Sequence, residues 1–447
     1  MDEHRPAQAD PSHLADEPLL AAGAGAAPVP ASRSNRSLDG APGRTGRPWG
    51  RVLLGAGIVL VAFNLRPVFT SLAAVLPEVQ AAGLSPAGAS VLTILPVLCL
   101  GVFAPLAPGL AARFGAERVL LGVLLLVAFG SGVRGFASAP ALFAGAALAG
   151  MGIGVGNVLL PGLVKRDFSD RAALMTGLYT MALCMGAAGG AGLTPPAEHA
   201  LAGSWAGALA IWAVPALVAA LAWAPLAVRA APRAGHAGGA VRGLWRDPLA
   251  WQITLFMGLQ SAFTYCVFGW LAPILRSRGM DAVSAGLVVS VSILFQVAAC
   301  LLIPPFAAWC RDQRLLCVVL AVDAVVALLA LVFAPLSLVW LWAALLGIGQ
   351  GGLFAAAMML MVLRSPNARV AAGISGMAQG VGYVLASCGP LLVGLLHGWT
   401  GGFDAAAVLF VALGLGTALS GFGAGRAVQL RVPGEARTDV PMSRGAA

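Results

Sequence analysis

From about residue 52 to residue 425 the chain runs through twelve apolar stretches, each close to the length of a bilayer-crossing helix. A crossing helix needs about 20 mostly apolar residues. The stretches fall at 52–76, 87–109, 118–137, 140–164, 171–194, 205–228, 249–275, 283–307, 314–334, 337–363, 369–396 and 402–425. Only 10% of the residues are charged and 59% are hydrophobic, against roughly 25% charged in a soluble domain. Such a chain cannot clothe itself for water. In lipid every backbone polar group has to be satisfied within the protein, which long helices achieve. The expectation is an all-α polytopic membrane protein with twelve spans.

The cations report on topology. The N-terminal tail, Arg113 and Arg118, Lys165 and Arg166, Arg229 to Arg246, Arg311 and Arg314, Arg364 and Arg369, and the C-terminal tail all fall on one side of an even-numbered count. Arg134, Arg276 and Arg278 fall on the other, and Arg66 lies within the first span. Positive loops stay in the cytoplasm, so both termini are placed there. Residues 1–48 are polar and rich in Ala, Pro, Gly and Ser, with no short apolar core before a small-residue cleavage site. That predicts a disordered cytoplasmic tail and no signal peptide, and the sequence from about Val428 reads the same way. The seven cysteines are scattered without CxxC spacing, which suits small packing residues better than a disulfide framework or a zinc site.

The chain also repeats itself. At an offset of 196 residues Pro77 falls on Pro273, Gly83 on Gly279, Ala89 on Ala285 and Arg118 on Arg314. Further on, Lys165 falls on Arg364 and Gly177 on Gly376, 199 apart. The domains read as an N-tail (1–48), a six-helix half (49–228), a cytoplasmic linker (229–248), a second six-helix half (249–426) and a C-tail (427–447). Doubled halves of this kind hold a solute near the bilayer midplane between them. Polar side chains crowd into some spans: Asn64, Arg66 and Thr70 in the first, Asn157 in the fourth, Tyr179 in the fifth. The seventh adds Gln260 and Tyr265, the eighth Gln296, and the eleventh Gln379 and Tyr383. Spans three and six carry almost none.

The segment APGLAARFGAER (107–118) resembles the signature between helices two and three of the major facilitator transporters, with Ala112 where an acidic residue usually stands. NLRPVFTSLAAVLPEV (64–79) and GNVLLPGLVKRDFSDRAALMTGLYTMAL (156–183) resemble the CynX/NimT branch, the cyanate and nitroimidazole transporters. The resemblance covers about residues 50–425. It implies the major facilitator fold, with every third helix peripheral and the others lining a central cavity. It also implies secondary transport by alternating access in the bacterial cell membrane, by a monomer.

Arg66 is the sharpest single feature. It lies 15 residues from Arg51 and 12 from Glu78, roughly 22 and 18 Å along a helix, too deep to snorkel out of a ~30 Å core. A charge there costs about 2.5–3.5 kcal/mol or more. Pro67 frees the Phe63 carbonyl and predicts a bend in the same turn. Thr70, four residues on, is expected on the same face. Two readings stay open: a midplane clamp for a small anionic or acceptor-rich solute, or a tether satisfied by carbonyls and hydroxyls of neighbouring helices. The candidate solute contacts are Arg66, Asn64, Thr70, Asn157, Tyr179, Gln260, Tyr265, Gln296, Gln379 and Tyr383. Arg113, Arg118, Lys165, Arg166, Asp312 and Arg369 are candidates for a cytoplasmic gate, in which cations pair with acids including Glu117, Asp167 and Asp170. Asp323 is the lone mid-span carboxylate, a candidate proton site or a structural hydrogen-bonding group.

No GxxxxGK[ST] loop is present, so ATP is not the expected energy source. No cofactor, metal or nucleic-acid partner is expected. The leading expectation is a transporter of a small anionic or polar nitrogen-containing solute such as cyanate or a nitroimidazole, with protons as one candidate coupling ion. Multidrug efflux on the same fold is the alternative, disfavoured by an aromatic content of only 7%. A membrane-embedded enzyme would need a nucleophile or metal set, and a sensor would need a soluble output domain.

Overall fold

The structure, a computed structural model, describes residues 48–229, 241, 243–310 and 312–431. The tail over 1–47, the segment 432–447, most of the linker and Arg311 lie outside the described residues. The described residues form helices and turns, with no strand among them. Twelve helices are long and apolar enough to cross a membrane: Gly50–Ala74, Val91–Phe114, Ala116–Phe136, Ala139–Asp167, Ser169–Ala200, Trp205–Arg229, Pro248–Ser277, Ser284–Trp309, Arg314–Phe333, Leu336–Leu363, Ala368–Thr400 and Asp404–Ala424. They are called spans 1 to 12 below.

Packing repeats with a period of six spans. Span 1 packs on 5, 2 on 4, and 3 on both 4 and 6; span 7 packs on 11, 8 on 10, and 9 on both 10 and 12. Two residues at the 196-residue offset, Gly83 and Gly279, follow the first span of each six and both adopt positive φ, 108° and 94°. Only glycine takes that conformation without a steric penalty. All extended contacts between the first six and the last six spans come from spans 2, 4 and 5 against 8, 10 and 11. Spans 3, 6, 9 and 12 stay at the periphery.

The interface between the halves is made by small residues, as expected where no hydrophobic effect drives helices together and close backbone approach has to supply the attraction. Gly162 of span 4 faces Ala368 and Ala372 of span 11. Gly376 of span 11 faces Ala104 and Pro108 of span 2. A methyl group on Gly177 of span 5 would stand 2.8 Å from the Leu301 carbonyl of span 8. These contacts lie toward the side that carries Arg113, Lys165, Arg166 and Arg369. Spans 1 and 7 make no extended contact across the halves. The molecule is closed on its basic side.

Two expectations need correction. The chain from Val428 does not begin as a free tail: Leu430 is buried, its N–H donates to the Arg364 carbonyl at 2.9 Å, and Arg431 N–H donates to Asp247 Oδ2 at 2.8 Å. Arg364 is itself buried against Gln313 and the carbonyls of Ala424 and Gly425. Arg134, read as an outer-loop cation, is buried to 1% exposure at the end of span 3. Its Nη1 donates to the Val68 carbonyl at 3.0 Å and its Nη2 to Ser71 Oγ at 3.5 Å. The second half makes the corresponding tie with Arg278, just past span 7, which donates to the Leu331 and Ala334 carbonyls at the end of span 9.

Candidate solute-binding cavity

Span 1 is two helices, Pro48–Asn64 and Pro67–Ala74, and Arg66 sits in the break between them. Pro67 opens the second helix at a position where its missing N–H is no loss. The Phe63 carbonyl, which that N–H would have served, is pressed against Gly186 of span 5. The break directs the guanidinium away from lipid, into a cavity bordered by Cys184, Gln260, Tyr265, Gln296, Phe354 and Tyr383. These residues come from spans 5, 7, 8, 10 and 11, so both halves contribute. The cavity's free volume is about 30 Å³.

The cavity is lined for hydrogen bonding on a small scale. Arg66 Cζ stands 5.1 Å from the centre of the Phe354 ring, a cation–π contact. Tyr265 and Tyr383 meet edge to face at 6.5 Å. The neighbours of the Arg66 guanidinium are Tyr383, Tyr265, Cys184 and Cys300, with no carboxylate among them. Arg66 Nε, the Tyr383 hydroxyl and Gln260 Oε1 are buried without a protein partner. Buried polar groups are normally paired, and these three unpaired ones belong to residues that border one cavity. Arg66 and Tyr383 supply donors, and Gln260 supplies an acceptor.

Five of the ten expected contact residues therefore border the cavity: Arg66, Gln260, Tyr265, Gln296 and Tyr383. The other five do not. Asn64 turns its amide back onto the Leu60 carbonyl at 2.9 Å. Thr70 faces Gly190 of span 5, because the break at Arg66 resets the helical phase that would have put the two on one face. Gln379 of span 11 donates to the Asn157 carbonyl of span 4 at 3.1 Å and to Ser375 Oγ at 2.7 Å, so Asn157 and Gln379 bridge the halves beside the cavity. Tyr179 is fully buried and its hydroxyl has no protein partner. Cys184 and Phe354 border the cavity unannounced by the sequence, where each looks like one more apolar packing residue.

On the basic side, Arg113, Arg166 and Arg369 border a cleft closed from below by Val241 and Leu244 of the linker. Arg166 pairs with Glu117 at 2.9 Å and with Asp167 at 2.6 Å, inside the first half. Arg51 pairs with Asp170 at 2.5 Å, also inside the first half. Arg113 lies over the Phe114 ring at 5.2 Å. Asp312 caps the start of span 9, accepting from Arg314 N–H at 2.8 Å, and so serves its own helix. Arg118 and Lys165 flank this face at the ends of spans 3 and 4. Asp323 sits on peripheral span 9 with Oδ2 turned toward the backbone of Gly349 in span 10, away from the Arg66 cavity.

The comparisons with known proteins agree with this geometry. The model of the Major Facilitator Superfamily matches residues 53–387. The 2-nitroimidazole transporter of Escherichia coli (strain K12) is 40% identical over 389 residues, covering 85% of this chain and 97% of that one. The cyanate transport protein CynX of the same organism is 31% identical over 349 residues, covering 77% and 90%. Among solved structures, the proton:xylose symporter XylE superposes with a TM-score of 0.63 at 12% identity, covering 84% of this chain and 93% of its own. The chain is a multi-pass membrane transporter and not an enzyme; it belongs to the Major Facilitator Superfamily, in the branch of the cyanate and 2-nitroimidazole transporters.

Proposed function

We propose that the chain carries a small anionic or acceptor-rich nitrogen solute, of the cyanate or nitroimidazole kind, through the cavity at Arg66 by alternating access of its two halves. The observation that carries this reading is a half-buried guanidinium, its Nε buried and unpaired and no carboxylate beside it, in a cavity lined by both halves. An unpaired buried cation is costly, and an anion or a nitro group offers the forked acceptor geometry that arginine prefers. The names of the two relatives point to the same solute class.

The positive-inside distribution supports cytoplasmic termini, which makes the closed basic side the cytoplasmic one and the conformation outward-facing. Gln379, Asn157 and the glycine contacts of spans 4 and 11 then form the inner seal, with the Arg113, Arg166 and Arg369 cleft beneath it. Asp323 is the residue favoured for proton coupling, since its buried Oδ2 has no protein partner. It would act through the packing of spans 9 and 10 and not by touching the solute. A monomer contains the whole cavity. Uptake of labelled cyanate and labelled 2-nitroimidazole into proteoliposomes tests the solute class. Saturable uptake of at least one is expected, and uptake of neither above empty liposomes overturns the assignment.

A further inference from the structure

Two thiols meet where the halves touch. Cys184 of span 5 and Cys300 of span 8 place their sulfurs 3.5 Å apart. The backbone around them is held across the same interface, because Thr180 Oγ1 donates to the Cys300 carbonyl at 3.2 Å. Cys184 borders the cavity and keeps 8% exposure, while Cys300 has none. One thiol is therefore reachable from the cavity and the other is stationed behind it.

We propose that Cys184 and Cys300 form a peroxide-oxidisable pair whose disulfide staples the two halves together and arrests the transport cycle. Hydrogen peroxide small enough to enter the cavity is the oxidant. The Cys184 sulfur attacks one peroxide oxygen, the O–O bond breaks, and water leaves, giving the sulfenic acid. The Cys300 sulfur then attacks Cys184 Sγ, the S–O bond breaks, and a second water carries away the Cys300 proton. Two thiols lose two electrons and one peroxide gains them. A disulfide bond is about 2.0 Å long, so the sulfurs have to close by about 1.5 Å from their present separation. Once joined, spans 5 and 8 cannot part, and the cavity cannot open toward the basic side.

The test uses the full chain with a protease site inserted between Arg229 and Val241, reconstituted and treated with hydrogen peroxide. After cleavage, the halves of the wild type should run together on a non-reducing gel and separate once dithiothreitol is added. Those of Cys300→Ser and of Cys300→Ala should separate without it. Peroxide should lower wild-type uptake at least tenfold, reversibly by dithiothreitol. Wild-type halves that separate without reductant would overturn the proposed bond. Halves that stay joined while uptake is unchanged would overturn the arrest. The gel needs no solute, so it stays interpretable even if the solute assigned above is wrong.

Discussion

Arg134 donates to the carbonyl oxygen of Val68 at 3.0 Å, two residues beyond Arg66 in the same span. Two arginines, Arg134 buried and Arg66 half-buried, thus serve one stretch of chain in different ways. Arg134 donates from Nη1 and Nη2 to a carbonyl and a hydroxyl of the second helix of span 1 and fastens it to span 3, whereas Arg66 borders the cavity; the Nε of each is buried without a partner.

That contrast predicts opposite phenotypes. Arg134→Met leaves the Val68 carbonyl without its donor, at a cost of about 1–3 kcal/mol, and should lower the unfolding temperature in detergent. Arg66→Gln removes an uncompensated, half-buried charge and should leave that temperature unchanged or raised. A fall for Arg66→Gln as large as that for Arg134→Met would return Arg66 to a structural role.

Spans 4 and 11 are joined by the Gln379–Asn157 hydrogen bond among small-residue contacts. Gln379→Leu removes the bond to the Asn157 carbonyl, worth about 0.5–1.5 kcal/mol, or up to roughly tenfold in the balance between the two open states. Maleimide labelling of an Ala372→Cys probe should rise by about that factor in the Gln379→Leu background. Unchanged labelling would show that glycine packing alone holds the seal.

Asp323 is packed on Gly349 and is not among the residues that line the Arg66 cavity. If protons couple through it, Asp323→Asn should abolish stimulation of uptake by an imposed pH gradient while preserving downhill exchange. A mutant that still responds to the gradient removes Asp323 from the coupling path.

The segment at 428–431 should matter to stability and the sequence beyond it should not. Truncation after Arg431 is expected to leave the unfolding temperature as it is. Truncation after Val428 removes the buried Leu430 side chain and two hydrogen bonds; the leucine alone is worth about 1.5–3 kcal/mol. Equal unfolding temperatures for the two truncations would contradict the docking.

The spans were legible in the sequence because hydropathy over twenty residues is a strong signal, and the doubling was legible because turns such as those at Gly83 and Gly279 demand glycine twice. Arg66 stood out for the same reason, a charge against an apolar background. Arg134 did not: an arginine one turn from a span end can snorkel outward or fold back, and only the position of Val68 decides between them. Thr70 was misplaced by assuming an unbroken helical phase across Pro67. The cysteine pair was invisible because its two members lie 116 residues apart and nothing local couples them. Contacts across the halves depend on how helices face one another, which the period of a single helix does not encode.

The most direct measurement is uptake of labelled cyanate and labelled 2-nitroimidazole by proteoliposomes containing wild type, Arg66→Lys or Arg66→Gln in matched amounts. With Arg66 as the clamp, Arg66→Gln should lose at least tenfold of whichever solute the wild type moves, and Arg66→Lys should recover only part of it, because an ammonium lacks the forked donors. Wild-type rates in Arg66→Gln would contradict the clamp and leave Arg66 a second tether beside Arg134.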